Sequence, residues 1–192
     1  MKNKLILLTA MILIASAVIA QKKYSLDEAN SKLTIEGTSS VHDWSMNSTI
    51  FSGTVLFETE ENIPTSILDI KFSSKADKIL SDNSIMDSKT HKALKAETHP
   101  DITFIFKSVK SYKKLKDAFS GEITGILSIA GKSKNITLSF SGKVHPSGAV
   151  NVKGVVPLKM TDFGVNPPTA MLGALKTGDD IKINYDFQFI NQ

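Results

Sequence analysis

The stretch DIKINYDFQFI, residues 180–190, alternates polar and apolar side chains as far as Phe189. Successive side chains of a β-strand point to opposite faces, so residues two positions apart share a face. One face of this stretch holds Lys, Asn, Asp and Gln, while the other holds Ile181, Ile183, Tyr185, Phe187 and Phe189. The pattern predicts a strand with one dry and one wet face, which is typical of antiparallel sheets.

The same alternation recurs along most of the preceding chain. NITLSFSGKV (residues 135–144) and AVNVKGVVPLKM (residues 149–160) flank the turn sequence HPSG, which predicts a long antiparallel hairpin. Further strands are predicted in KLTIEG, ILDIKFSS, DITFIFKSV and EITGILSIAG. In WSMNSTIFSGTVLFE the apolar phase shifts by one residue after Ile50, which indicates a β-bulge or a sharp bend. We therefore predict about eight to nine strands.

Two segments break the alternation. Residues 84–100, SIMDSKTHKALKAETHP, are rich in Lys, Ala and Glu and end at a proline, which predicts one helix crossing between strands. Residues 161–180 hold Pro and Gly and predict a structured loop, with one helical turn at residues 169–175. Antiparallel strands with one apolar face each must close on themselves or stack. Long strands with a single helix favour an all-β barrel of about eight strands, with the apolar faces inward.

The N-terminus has the organisation of a secretory signal peptide. Two lysines precede an apolar run at residues 5–20, and the run ends in small side chains that suit signal peptidase. We predict cleavage between Ala20 and Gln21, so that residues 1–20 are the signal peptide and residues 21–192 form one periplasmic or secreted domain. An uncleaved anchor is the alternative, although the 16-residue run is shorter than the ~20 residues of a membrane-spanning helix.

The composition argues against several classes of function. The chain contains no cysteine, so it has neither a disulfide nor an N-terminal lipidated cysteine. Removal of the two lysines of the signal peptide lowers the formal net charge from +4 to +2. This charge is too small to predict nucleic-acid binding. Every basic side chain other than His is Lys, which disfavours the bidentate anion clamps that arginine builds.

The stretch GTSSVHDW, residues 37–44, brings together the residue types of a hydrolase triad. In an extended strand the adjacent His42 and Asp43 point to opposite faces, so they cannot pair as base and orienting acid. No Gly-x-Ser-x-Gly nucleophile elbow occurs in the chain. We interpret the stretch as a strand and rim segment, and we predict no catalytic residue. The four histidines show no metal-binding spacing, so we predict no metal ligand either.

Several longer stretches resemble the YceI-like family. GEITGILSIAGKSKNITLSFSG (residues 121–142) is similar to the hallmark of that family, and KAETHPDITFIFKSV (residues 95–109) is similar to the segment before it. YSLDEANSKLTIEG resembles the opening of the family, and DFGV with TGDDIKINYDFQF resembles its closing strands. The stretches GTSSVHDW and NPPTAMLG resemble an exported, Bacteroidetes-type branch. The stretch HKALKAE departs from the paired Phe residues that commoner members carry on the helix.

This resemblance implies a lipocalin-like barrel with a polyisoprenoid chain inside, either an isoprenoid quinone or a polyprenyl lipid. It implies a binding protein for carriage, storage or envelope stress response, with no cofactor other than such a lipid. Peripheral contact with a membrane is also expected, because the lipid resides there.

The residues expected to line the lipid tunnel follow from strand phase alone. They are Trp44, Phe104, Phe106, Leu127, Leu138, Phe140, Val152, Ile183, Tyr185 and Phe187. Tyr185 and Trp44 are the strongest candidates, because their polar tips suit a wet or ligand-facing edge. Three alternatives stay open: these residues form an ordinary packed core, the barrel acts without ligand through protein contacts, or it is an enzyme that uses His42 on such a lipid.

Overall fold

The computed structural model describes residues 20–60, 62–170 and 175–192. The predicted signal peptide lies outside the described residues except for Ala20, which begins the first strand. The predicted helical turn at residues 169–175 is wrong at its described ends, because Thr169–Ala170 and Leu175 lie in strands. Within this part of the chain, none of the helices has the length and hydropathy that crossing a bilayer requires.

The described residues form eleven strands and one α-helix. In chain order the strands are β1 (Ala20–Ser39), β2 (Trp44–Ser48), β3 (Phe51–Glu60), β4 (Ile63–Lys75), β5 (Ile79–Leu80), β6 (Asp101–Lys114), β7 (Ala118–Ile129), β8 (Lys132–Val144), β9 (Val150–Lys159), β10 (Thr169–Ala170) and β11 (Leu175–Asn191). The helix α1 (Ser84–Ala93) lies between β5 and β6, and a 3-10 turn at Met160–Phe163 follows β9.

Eight of these strands close into an antiparallel barrel. The order around the wall is β1, β3, β4, β6, β7, β8, β9 and β11, and β11 pairs with β1 to complete the circle. The long β1 pairs with β3 through its first half and with β2 through its second half. The prediction of an all-β barrel of about eight strands with one helix is therefore confirmed.

The structure decides one alternative and corrects one boundary of the predicted elements. The phase shift at Ile50 is the predicted sharp bend rather than a bulge within one strand, because β2 ends at Ser48 and β3 begins at Phe51. Ile50 lies in that break and is 45% exposed. The predicted helix stops at Ala93 rather than at Pro100, because Lys95 adopts a positive φ of 54° that an α-helix does not allow.

Two apolar clusters lie at opposite ends of the barrel. One end is closed by aromatic side chains that include Tyr24, Phe57, Phe119 and Phe140. The other end carries a cluster around Phe163 and Val165, against which Leu94 packs just after α1. The β8–β9 hairpin turn lies at the aromatic end, and α1 lies over the other end. The fold therefore has one sealed end and one end covered by a helix.

Helix α1 rests on the barrel through few contacts. Its N-cap is Asn83, whose side chain accepts hydrogen bonds from the backbone N–H groups of Ile85 and Met86. The Nε2 atom of His91 lies 3.0 Å from the carbonyl oxygen of Ile79, with which it forms a hydrogen bond. No residue of α1 is fully buried. The helix thus covers the barrel end without sealing it.

Candidate binding cavity

An apolar cavity of about 190 Å³ lies inside the barrel. Eight of the ten residues predicted to line a lipid tunnel border this deep cavity: Phe104, Leu127, Leu138, Phe140, Val152, Ile183, Tyr185 and Phe187. They come from β6, β7, β8, β9 and β11, whose inward faces strand phase identifies. That they border a cavity is observed, while their contact with a lipid stays a prediction.

A larger cavity of about 430 Å³ lies at the end of the barrel covered by α1. Trp44, the ninth predicted residue, borders this mouth cavity rather than the deep one. This cavity is also bordered by Met46 of β2 and by apolar side chains from the helix and from turns, which include Met86, Leu94 and Phe163. Strand phase does not find the side chains of the helix and turns, because those segments have no period of two.

Six apolar side chains border both cavities. These junction residues are Ile35, Ile79, Ile102, Ile129, Leu158 and Ile183. They lie where the mouth cavity adjoins the deep cavity, and we call the two adjoining apolar spaces together the passage. A flexible apolar chain could thread from the helix-covered end toward the aromatic end.

Phe106 borders neither cavity, which corrects its predicted position. It packs, partly buried, against the aromatic core of the barrel. Its pairing with Gly125 is in phase with that of Phe104, and the irregularity of the β6–β7 ladder comes only after it. Strand phase therefore gives its inward direction correctly, but other core side chains rather than an open cavity surround it.

The polar tips of Tyr185 and Trp44 are already engaged by the protein. The Tyr185 hydroxyl donates a hydrogen bond to the carbonyl oxygen of Ser139 at 3.0 Å, and burial raises the pKa of this hydroxyl. The Trp44 indole N–H donates to the carbonyl oxygen of Thr38 at 2.9 Å. The sequence argument that these tips face a ligand is therefore not supported. Both rings remain available to a ligand through their apolar surfaces.

Tyr185 also bridges a split in the barrel wall. The pairing of β8 with β9 runs from Val144–Val150 to Ser141–Lys153 and no further among the described residues, although both strands continue. Tyr185, on β11, reaches across Gly154 of β9 to Ser139 of β8. A Cβ at Gly154 would overlap the Tyr185 ring, so the bridge requires glycine there. The tyrosine replaces part of the missing ladder.

We expect Tyr185→Phe to lower the free energy of unfolding by about 1 kcal/mol, because the Ser139 carbonyl loses the hydrogen bond that bridges the split. Chemical denaturation measures this loss. Lipid occupancy should stay unchanged, since the hydroxyl is engaged by the Ser139 carbonyl. Lower occupancy with unchanged stability would instead show that the hydroxyl contacts the ligand.

The rim of the mouth cavity is cationic. Lys89, Lys159 and Lys176 border it together with His42, and the described lining contains no Asp or Glu. Lys159 pairs with Asp180 outside the cavity at 3.1 Å, and its hydrogen bond to that carboxylate raises its pKa. Lys89 donates from Nζ to the carbonyl oxygen of Thr169 at 3.1 Å. The passage is thus apolar inside and positively charged at its opening.

The reactive residues of GTSSVHDW hold a loop together. The predicted strand ends at Ser39 and resumes at Trp44, so residues 40–43 form a loop at the rim. The Ser39 hydroxyl donates to the carbonyl oxygen of His42 at 2.8 Å, and the His42 ring binds the carbonyl oxygen of Asp43. No carboxylate contacts the exposed His42 ring in the part of the chain that the structure describes. Nor do residues 20–60, 62–170 and 175–192 hold a cluster of His, Asp or Glu suited to a metal ion.

Comparison with known families agrees with the barrel and its cavity. The sequence model of the YceI-like domain matches residues 24–189, which is nearly all of the described chain. The chain belongs to the YceI-like domain family. Its assignment to a Bacteroidetes-type branch stays a prediction. A search of curated proteins found no significant match.

Solved structures of YceI-like and related proteins share the fold. BcnA of Burkholderia cenocepacia aligns with a TM-score of 0.67 at 18% identity over 85% of this chain and 98% of its own. A domain of Saccharophagus degradans described as polyisoprenoid-binding aligns with a TM-score of 0.67 at 12% identity, over 88% and 98%. The YceI protein of Campylobacter jejuni aligns with a TM-score of 0.57 at 24% identity, over 77% and 84%. At these identities the likeness establishes the fold of this YceI-like chain.

Proposed function

We propose that this YceI-like protein is an exported lipid-binding protein that holds a polyisoprenoid-type chain in its barrel. The cargo is an isoprenoid quinone or a polyprenyl lipid, and the protein carries it, stores it or serves an envelope stress response. The supporting observation is that the two apolar cavities, mouth and deep, adjoin and share six lining residues. Cleavage between Ala20 and Gln21 would release the barrel into the periplasm or the medium.

The chemistry of the passage suits an isoprenoid chain. Such a chain is long, apolar and methyl-branched, and it gains about 25 cal/mol for each Å² of apolar surface removed from water. It offers no hydrogen-bonding groups along its length, so its site needs a dry, apolar lining rather than placed polar side chains. Ligand cavities commonly measure about 300–1,000 Å³, and the mouth cavity of about 430 Å³ falls in that range.

Binding without chemical conversion is the function we propose for the cavity. A hydrolase or transferase needs a nucleophile or base held by an orienting group near the substrate. The hydroxyl and imidazole groups at the mouth, on Ser39 and His42, instead bind the backbone of their own loop. A carrier needs none of these groups, and its cargo leaves unaltered.

Native mass spectrometry of the protein purified from its own cell envelope, followed by organic extraction, tests this function. We expect a bound species with a repeating isoprene mass, which also identifies the head group. The intact mass of the same sample should correspond to a chain that begins at Gln21. A ligand-free mass that persists after incubation with quinones and polyprenyl lipids would contradict the proposal, and it would favour a barrel that acts through protein contacts.

A further inference from the structure

The two most exposed large apolar side chains of the described residues lie beside the same opening. Val41 is 61% exposed and Ile85 is 69% exposed, and both border the mouth cavity. Val41 lies in the loop between β1 and β2, and Ile85 lies in the first turn of α1. A single exposed apolar residue is ordinary on a protein surface, but two beside one opening indicate a contact surface.

Two lysines border the same cavity as these two side chains. Lys89 lies one helical turn after Ile85 and so shares its face of α1, while Lys176 lies near the start of β11. Both lysines are exposed and border the mouth cavity, whose described lining holds no carboxylate. Trp44 lies at the same rim, and tryptophan favours the interface between water and lipid. Exposed apolar side chains beside lysines complement an anionic membrane surface.

We propose that this docking surface, formed by Val41, Ile85, Lys89 and Lys176, binds an anionic lipid bilayer. The lysines contact the negatively charged head groups, and the two apolar side chains enter the interface. Docking in this orientation places the mouth cavity against the membrane, so a lipid cargo moves between bilayer and barrel without crossing water. The proposal goes beyond the function proposed above, because it identifies the surface through which cargo is exchanged.

Vesicle flotation with the full chain tests the docking surface. We expect the protein to bind vesicles of phosphatidylcholine and phosphatidylglycerol at low salt, and to bind pure phosphatidylcholine weakly. The double variant V41S/I85S should bind the anionic vesicles about tenfold more weakly, because it removes the inserting side chains. The double variant K89Q/K176Q should lose about 20- to 30-fold, because each lysine contributes about 1 kcal/mol near an anionic surface.

The chain provides a matched control and an internal probe. Leu115 is 50% exposed in the β6–β7 turn at the aromatic end, with Lys113 and Lys116 beside it. L115S and K113Q/K116Q should bind vesicles like the unmodified protein. Trp44 is the single tryptophan of the chain. Quenching of tryptophan fluorescence by brominated lipids should therefore report contact between lipid and the rim of the mouth cavity.

Two results would overturn the docking surface. One is the absence of binding to anionic vesicles. The other is equal binding and quenching in the unmodified protein and in V41S/I85S, with the N terminus of each sample matched by intact mass. Lipid content, measured separately by extraction, shows whether the cavity binds a chain. A protein that contains lipid but does not bind anionic vesicles would therefore contradict only the proposed docking surface.

Discussion

Replacement of Ile183 with tryptophan should prevent long isoprenoid chains from reaching the deep cavity. Ile183 lies on β11, pairs with Ile35 and with Val156, and is one of the junction residues between the two cavities. An indole at this position fills the passage that a threading chain must use. Each methylene excluded from the deep cavity costs about 0.8 kcal/mol, so losing about four or five weakens binding several hundredfold.

Comparing lipids of different chain length distinguishes a blocked passage from a misfolded variant. A short chain such as geraniol needs only the mouth cavity, which Ile183 borders at its inner end, so I183W should weaken the binding of long polyprenols by a much larger factor than that of geraniol. The matched control is V155W, because Val155 is 51% exposed on the neighbouring strand β9 and faces away from the cavity. Quenching of Trp44 is unsuitable for variants with a second indole, so extracted lipid is measured by mass spectrometry. Equal loading of long chains into I183W and V155W would contradict a continuous passage.

The strand phases predicted most of the deep cavity because one physical rule governs them. A strand in a closed barrel turns every second side chain inward, so residues such as Leu138 and Phe187 could be placed from sequence. Phe106 follows the same rule, since it packs against the aromatic core inside the barrel, but it borders neither cavity. Strand phase shows the direction of a side chain, but it does not show whether other side chains fill the space before it.

The mouth could not be predicted in the same way. About half of its side chains come from outside the strands, from α1, from the loop that holds Val41 and from the segment around the 3-10 turn that ends at Phe163. These segments carry no period of two, and their positions over the barrel end follow from tertiary contacts. The sequence also does not reveal the split between β8 and β9, because polar and apolar residues alternate normally in both strands where they no longer pair.

The sequence shows which strands contain glycine, but only the structure shows which group approaches each glycine. A glycine in a strand interior indicates a bulge or a close approach by another group. Gly142 on β8 lies directly beneath the ring of Phe119, and a Cβ there would overlap that ring. The sequence marks the glycine, but it does not identify the aromatic ring that covers it.

Replacement of Phe119 with alanine should be among the most destabilising single changes in this protein. Phe119 is 2% exposed and lies at the centre of the aromatic end. Its ring lies 5.7 Å from the ring of Phe57, 5.7 Å from that of Tyr112 and 6.0 Å from that of Phe140. Removing a buried phenyl ring costs about 3–5 kcal/mol of unfolding free energy, because it loses apolar burial and leaves a cavity. Chemical denaturation of the ligand-free protein measures the loss.

The position of Phe119 gives this variant a second expected effect, on the cavity itself. Phe119 borders the deep cavity, so alanine there extends the passage toward the aromatic end. F119A should therefore lose stability without ligand yet keep its affinity for long chains, so added polyprenol should stabilise it by about as much free energy as it stabilises the unmodified protein. The control is L115A at the same end of the barrel, whose half-exposed side chain should cost less than about 0.5 kcal/mol. A loss below about 1 kcal/mol in F119A would mean that the aromatic end does not seal the barrel, since a tightly packed ring cannot be removed at so small a cost.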